Sequence, residues 1–349
     1  FTQRKADELN ALGGLAGRQI VVKFYDHFLD PKILQAQITE ILANPDLVAI
    51  IGISSSSRGA TVIKQIGESK VPLVSGMSRG DIFAPYPNTF SLSPAVNDEI
   101  AAVRTFMVES KFQRPMFVGF AGDIYAEKYA RELVGGDFDR STFWLQRDLH
   151  GELDQPGAMR VLEAIEAQDP DIVFLGIHSG PGRQLLQLMT ARGLKRPIFV
   201  ALGRVGRMLN SPTRITYDSD MYQLGREQVP HVYNERLQQR IWKSPEDRWI
   251  FEDKRAEGAP AKCAKQKEPA KITDVRNRAN RRAIGRGVQY SDVLSLIAHA
   301  AGTSRDGDIA QLRHRISDGI KRLEPAKRTY RGLWQDWSFT RDRSVAEDI

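Results

Sequence analysis

The stretch Val48-Ala49-Ile50-Ile51-Gly52-Ile53-Ser54-Ser55-Ser56-Ser57-Arg58-Gly59 passes from an apolar run into a polar turn bounded by glycine. The apolar half predicts a buried parallel strand. After it Val62, Ile63 and Ile66 recur at helical spacing, so the serines fall where a strand ends and a helix begins. Backbone N–H groups at a helix start lack an intrahelical acceptor. With the serine hydroxyls and the positive end of the helix dipole they suit an anion, a carboxylate above all. Taken alone the stretch admits a second reading, in which one serine caps the helix and the others are solvated.

The same grammar runs on both sides. Upstream, Ala6, Leu9 and Leu12 share a helical face that Gly13-Gly14 stops, and residues 19–25 are expected as a strand. Asp30-Pro31 then supplies an N-cap and a first-turn proline for a helix striped by Ile33, Leu34, Ile38, Ile41 and Leu42. Downstream, Val71-Pro72-Leu73-Val74 is a short strand entering the turn Ser75-Gly76-Met77-Ser78-Arg79-Gly80-Asp81, followed by a strand at 89–92 and a helix over 97–110. The pattern restarts at Met116 with a strand to Phe120, the turn Ala121-Gly122-Asp123-Ile124-Tyr125 and a helix to Val134. A strand at 143–145, a helix carrying Met159, Leu162 and Ile165, and the buried strand Ile172-Val173-Phe174-Leu175-Gly176 come next. The exit loop Ile177-His178-Ser179-Gly180-Pro181-Gly182 leads to a helix with Leu185, Leu186 and Met189, then a strand at 198–202 that ends at Gly203-Arg204. The expected class is α/β, with two doubly wound parallel-sheet lobes and polar loops collected at strand ends.

Composition narrows the function classes. A chain of 349 residues is long for one core and suggests two domains; 41% hydrophobic and 27% charged residues describe a globular protein rather than a disordered one. No apolar run reaches the roughly 18 residues of a membrane span. The single Cys263 excludes an internal disulfide and leaves the redox compartment open. The formal net charge of +7 is local: residues 253–286 hold 11 Lys and Arg against 4 Asp and Glu, and basic and acidic residues balance elsewhere. That stretch is expected to be a solvated surface insertion. Residues 254–286 contain no Phe, Tyr or Trp, so it lacks the stacking groups of a nucleic-acid platform and no nucleic acid is expected as partner.

Enzyme signatures are missing as well. Gly52-Ile53-Ser54-Ser55-Ser56 fails the nucleophile-elbow pattern at its last position, and no phosphate loop, dinucleotide fingerprint, His-Glu-x-x-His or Cys-x-x-Cys occurs. Gly180-Pro181-Gly182 approaches a phosphate turn only loosely. No catalytic residue, metal or cofactor is expected. His150, His231, His299 and His314 sit without a partner pattern and are taken as structural or solvated.

The run Asp7-Glu8-Leu9-Asn10-Ala11-Leu12-Gly13-Gly14-Leu15-Ala16-Gly17-Arg18, then Tyr25-Asp26, Asp30-Pro31, Ile51-Gly52 with its serines and Val71-Pro72-Leu73-Val74-Ser75 resembles type 1 periplasmic binding proteins of the leucine/isoleucine/valine-binding kind. The likeness continues through Asp123-Ile124-Tyr125-Ala126-Glu127 and the strand at Ile172, and resumes at Tyr290-Ser291-Asp292-Val293 and Trp337-Ser338-Phe339. The family's first strand has no counterpart before Phe1 and its last none after Ile349, so the chain is expected to be part of a longer protein.

The resemblance implies a Venus flytrap: two lobes joined by three crossings and closing by hinge motion around a small molecule. The crossings are expected near Phe106, Asp218 and Lys321, dividing the chain into a first lobe of 1–106 plus 219–321 and a second of 107–218 plus 322–349. It also implies that Ser54, Ser55, Ser56, Ser57, Ser75, Met77, Ser78 and Arg79 face the ligand from the first lobe, and Asp123, Tyr125, His178 and Arg204 from the second. Tyr125 has an equally simple reading as a packing residue. In amino-acid-binding members an acidic residue takes the ligand ammonium where Arg204 stands here, so Arg79 and Arg204 suggest a cationic cleft that favours an acidic molecule over leucine, with an amino acid paired through Asp123 as the alternative. The implied role is capture of an amino acid or organic acid for ABC-type uptake or for signalling, with a membrane transporter or receptor module as partner and an extracytoplasmic location. A cytoplasmic sensory module of a larger protein is the competing reading.

Overall fold

The computed structural model describes residues 2–323 apart from 29, 94, 136–137, 147–152, 178, 202–216, 218 and 224–277, together with 329–331, 336–337 and 339. Helix α1 (Thr2–Ala11) is stopped by Gly13 and Gly14 at φ 105° and 73°; at Gly14 a Cβ would stand 2.0 Å from Arg18 O, so only glycine fits. Asp30 caps α2 (Pro31–Leu42), accepting from Lys32 N at 2.7 Å, and Pro31 occupies the first turn, where a missing N–H costs nothing. Leu34 and Ile38 form the buried stripe of α2.

The first-lobe sheet consists of β1 (Ile50–Gly52), then α3 (Ser56–Gly59) and α4 (Ile63–Glu68) before β2 (Leu73–Ser75) and β3 (Thr89–Ser91), all parallel in the order β1-β2-β3. After α5 (Val96–Glu109) come β4 (Pro115–Phe120), α6 (Ile124–Val134), α7 (Phe138–Ser141), β5 (Thr142–Leu145), α8 (Gln155–Gln168), β6 (Ile172–Gly176), α9 (Ser179–Ala191), β7 (Ile198–Val200) and β8 (Met221–Gln223). These five strands form one parallel sheet in the order β5-β4-β6-β7-β8. Two further helices, α10 (Arg278–Ala301) and α11 (Ile309–Lys321), precede a short antiparallel pair, β9 (Tyr330–Arg331) with β10 (Asp336–Trp337).

Alternation along each central strand decides which helices it meets. In the second lobe Met116, Val118, Val173, Leu175, Ile198 and Val200 pack with Leu162 of α8 and Leu186 of α9. Their sequence neighbours Phe117, Ile172, Phe174 and Phe199 pack on the other face with Val103 of α5 and Tyr129 of α6. Both faces are dry, as a parallel sheet with helices on either side requires. In the first lobe Leu73, on one face, packs with Ile38 and Ile66. Val74 and Phe90, on the other, pack with Ile297 of α10, Ile316 of α11 and Phe339.

Several expectations need correction. Residues 19–25 form no strand: Val21 and Phe24 are each 72% exposed, and only Ile20 is held, its N–H and C=O both bonded by the Asn10 side-chain amide at 2.7 and 2.9 Å. An extended segment becomes a strand only beside a bonded neighbour, and none lies alongside among the described residues. Helix α9 begins at Ser179, so Gly180, Pro181 and Gly182 lie in its first turn rather than in a loop. Of the stretch 253–286, residues 278–286 are the opening turns of α10 and the remainder lies outside the described residues.

The division into lobes shifts as well. Helix α5 packs on the second-lobe sheet from Val96 onward, so the first crossing lies between Ser91 and Val96 and not near Phe106. Met221, Tyr222 and Gln223 pair with β7, which keeps the chain in the second lobe beyond Asp218. Leu323 and Phe339 belong to the first-lobe core, Phe339 N bonding Leu323 O at 2.7 Å, so the chain is still there after Lys321. Apolar burial rather than sequence order sets each boundary.

Candidate functional site

Where β1 ends, Gly52 and Ile53 both take positive φ, 134° and 60°. That conformation costs a β-branched residue about 1–2 kcal/mol and needs support from its surroundings. The fully buried Ser75 supplies it: its hydroxyl donates to Ile53 O at 2.6 Å and accepts Met77 N at 3.1 Å, tying the exits of β1 and β2 together. Ser55 caps α3, accepting from Arg58 N at 3.4 Å; Ser56 is buried and Ser54 is exposed.

From the second lobe, Asp123 caps α6, its Oδ1 accepting Tyr125 N at 3.1 Å and Ala126 N at 3.3 Å. The two helix starts meet. Ser57 Oγ donates to Asp123 Oδ1 at 3.4 Å and accepts Ile124 N at 3.3 Å, so the serine loop of one lobe touches the cap of the other. Beside them Arg79 Nε and Nη2 donate to both oxygens of Asp81 at 2.7 and 2.6 Å, while Nη1 donates to Ile124 O at 2.5 Å. The Asp81 carboxyl is held below the ordinary aspartate value, first by its hydrogen bond to Arg79 and then by the charges of Arg79 and Lys128, with burial opposing.

Tyr125 donates its hydroxyl to Glu99 of α5, and Tyr129 donates to the same Oε2 at 3.1 Å, the two rings lying 5.1 Å apart. The hydroxyl end of Tyr125 is enclosed although the residue as a whole is only half-buried. Burial first, then the negative charge of Glu99, hold that hydroxyl well above the usual tyrosine range, so it stays a proton donor at any physiological pH.

Ser57, Arg79, Asp123 and Tyr125 are thus grouped at the α6 start, with Ser54 and Ser55 in the strand-end loop that carries Ser57 and Ser78 in the one that carries Arg79. Three first-lobe residues expected at the site, Ser56, Ser75 and Met77, are buried. Met77 is fully buried among Ile53, Ile63 and Phe83, with its sulfur in the space that a side chain on Gly59 would fill, because the turn directs it into the core. Ser75 is spent on the backbone. His178 and Arg204 lie outside the described residues. Arg79 is present but already neutralised, which removes the described half of the cationic-cleft expectation. Sequence reasoning missed Asp81 and Glu99; the Arg79-Gly80-Asp81 spacing was a usable signal for the first, whereas the second lies 26 residues from its tyrosine. Among the described residues no three His, Cys, Asp or Glu side chains converge as a metal site.

The structure resembles the branched-chain amino acid binding protein LivJ of Streptococcus pneumoniae, solved with isoleucine, at 15% identity and TM-score 0.63 over 99% of this chain and 87% of that one. It likewise resembles the leucine-binding protein LivK of Thermotoga maritima, at 12% identity and TM-score 0.64 over 99% and 88%. A solute-binding protein of an R. palustris ABC transporter, solved with benzoate, matches at 14% identity and TM-score 0.61 over 99% and 86%. No curated protein matches. The family described as periplasmic binding protein matches residues 3–214, more than half of the sequence, and the chain belongs to that family.

Proposed function

We propose that the protein captures a small carboxylate-bearing molecule between its lobes and delivers it to an ABC-type membrane transporter from an extracytoplasmic compartment, with no chemistry of its own. The observation that carries this is the meeting of the α3 and α6 starts through Ser57, Asp123 and Ile124 N. Strand-end loops from both lobes converge there and bring the serine run of the first lobe to the opening of α6, the kind of cleft between two halves in which small ligands bind. Relatives of the same fold were solved with isoleucine, leucine and benzoate, which share a carboxylate and an apolar body. Among the described residues no helix is long and apolar enough to cross a membrane.

Calorimetric titration with leucine, isoleucine, benzoate and short dicarboxylates tests the proposal. Saturable binding of at least one carboxylate, lost in its amide or ester, is the expected result. Binding that survives esterification would point to another ligand chemistry, and recovery of an altered compound would overturn the claim that no reaction occurs.

A further inference from the structure

We propose that Arg79 and Asp81 are positioning residues that set the angle between the lobes, so that Arg79 governs ligand affinity through closure and not by touching the ligand. The inference rests on the capture reading above and goes beyond it, because it assigns a role to residues that hold no ligand.

Arg79 belongs to a loop with two anchorages. On one side the loop is tied to the first crossing: Ser91 Oγ donates to Met77 O at 2.5 Å, Ser93 Oγ to Gly76 O at 3.0 Å, and Val96 N to Ser78 O at 3.0 Å. On the other side the loop reaches the second lobe through Arg79 Nη1 on Ile124 O. The segment that leaves the first lobe and the start of α6 in the second are therefore braced by one short loop.

The electrostatics make the brace specific. A guanidinium beside the first turn of α6 meets the positive end of the helix dipole and is unfavourable there by itself. Asp81 reverses that balance: it takes two guanidinium nitrogens in the fork geometry and is also drawn by Lys128, one turn along α6. Arg79 retains only 16% side-chain exposure while Asp81 keeps 41%, so the guanidinium end of the pair is shielded and the carboxylate end meets solvent. A lysine could not hold both Asp81 oxygens and the Ile124 carbonyl with one flat fork.

Spin labels on Lys64→Cys in α4 and Val108→Cys in α5, in a Cys263→Ser background, read the separation of the lobes without any ligand. The parent is expected to give one dominant distance. Arg79→Ala is expected to add a second population at a different separation, Asp81→Asn to do so less, and Arg79→Lys not to restore the parent distribution. Arg79→Gln keeps most of the length and one hydrogen-bonding end, and serves if the alanine variant does not fold. Distance distributions identical to the parent in Arg79→Ala, or in Arg79→Gln where the alanine variant is unfolded, would overturn the proposal. So would full restoration by lysine. Because no ligand enters these measurements, an error in the capture reading would show in the titrations and leave the distances readable.

Discussion

The two sheets obey one grammar yet are assembled differently. The second-lobe sheet is made from β4 to β8, with β4 and β6 bonded on both edges and covered by α5, α6, α8 and α9 from the same stretch of chain. The first-lobe sheet has three short strands among the described residues, and one face is closed by Ile297, Ile316 and Phe339, more than 200 residues away from Val74 and Phe90. Contacts close in sequence close small loops, whereas distant ones must overcome the entropy of large loops before they stabilise anything. The second lobe should therefore be the more autonomous unit and the first the one that depends on the rest of the chain.

The largest effects should come from the aromatic centres of the two cores. Phe174 is fully buried against Phe199, with centroids 5.1 Å apart; Phe90 is fully buried in an edge-to-face pair with Phe339 at 5.8 Å. Truncating either to alanine should cost roughly 3–5 kcal/mol. If the lobes differ in autonomy, Phe90→Ala should split the thermal transition by melting the first lobe early, while Phe174→Ala should lower the second lobe's own transition. Calorimetry that finds one undivided transition, shifted equally by both changes, would break the contrast and make the molecule a single cooperative unit.

The contrast also explains what could be seen in the sequence. Local signals survived: Asp30-Pro31 opens α2, a helix to Val134 follows the turn at Asp123, and the apolar runs of β4 and β6 appear where periodicity placed them. What failed depends on partners that one sequence does not reveal. Residues 19–25 alternate like a strand, but only a bonded neighbour makes them one. Met77 sits in a polar turn and still points inward, because Gly59 leaves a space across from it that the sequence does not mark. The positive charge of Arg79 was legible, as was Asp81 two residues on, but its bond to Ile124 O spans 45 residues and required the fold. Tyr125 was weighed between packing and ligand contact, and its hydroxyl is committed to Glu99 while its ring lies against Tyr129.

A smaller effect tests how tightly the first lobe is built around its serine loop. A Cβ on Gly59 would stand 1.8 Å from Met77 Sδ, a clash that the better helix propensity of alanine does not offset. Gly59→Ala should lose about 1–3 kcal/mol through forced movement of Met77 in a filled core. Adding Met77→Ala removes the obstructing group, so the double variant should be more stable than the sum of the single losses. Denaturant titration of the three variants reads this coupling; additive losses would mean that Met77 relaxes freely and that the first lobe is looser than its burial indicates.

The smallest expected effect compares one helix cap from each lobe. Asp154, the cap of α8, accepts from Gly157 N and also from Gln146 N just beyond β5, both at 3.0 Å, so it fastens helix to strand exit; among the described residues Asp30 accepts from Lys32 N, within its own helix. Asp154→Ala should cost about 0.5–2 kcal/mol, near the upper part of that range, and Asp30→Ala should fall lower in it. The pH dependence carries the sharper test. The backbone N–H of Gln146 first, then that of Gly157, hold the Asp154 carboxyl below its ordinary value of 3.8. A carboxyl whose folded-state pKa is depressed contributes its full stabilisation above the unfolded value and loses it as pH falls through the folded one. The gap between parent and Asp154→Ala should hence be constant at neutral pH and narrow below about pH 4. Asp154→Asn keeps an accepting oxygen and should retain part of the stability without that narrowing. A gap that stayed constant down to pH 2 would show that the carboxylate charge is not what fastens α8 to β5, and the second lobe's advantage would then rest on apolar packing alone.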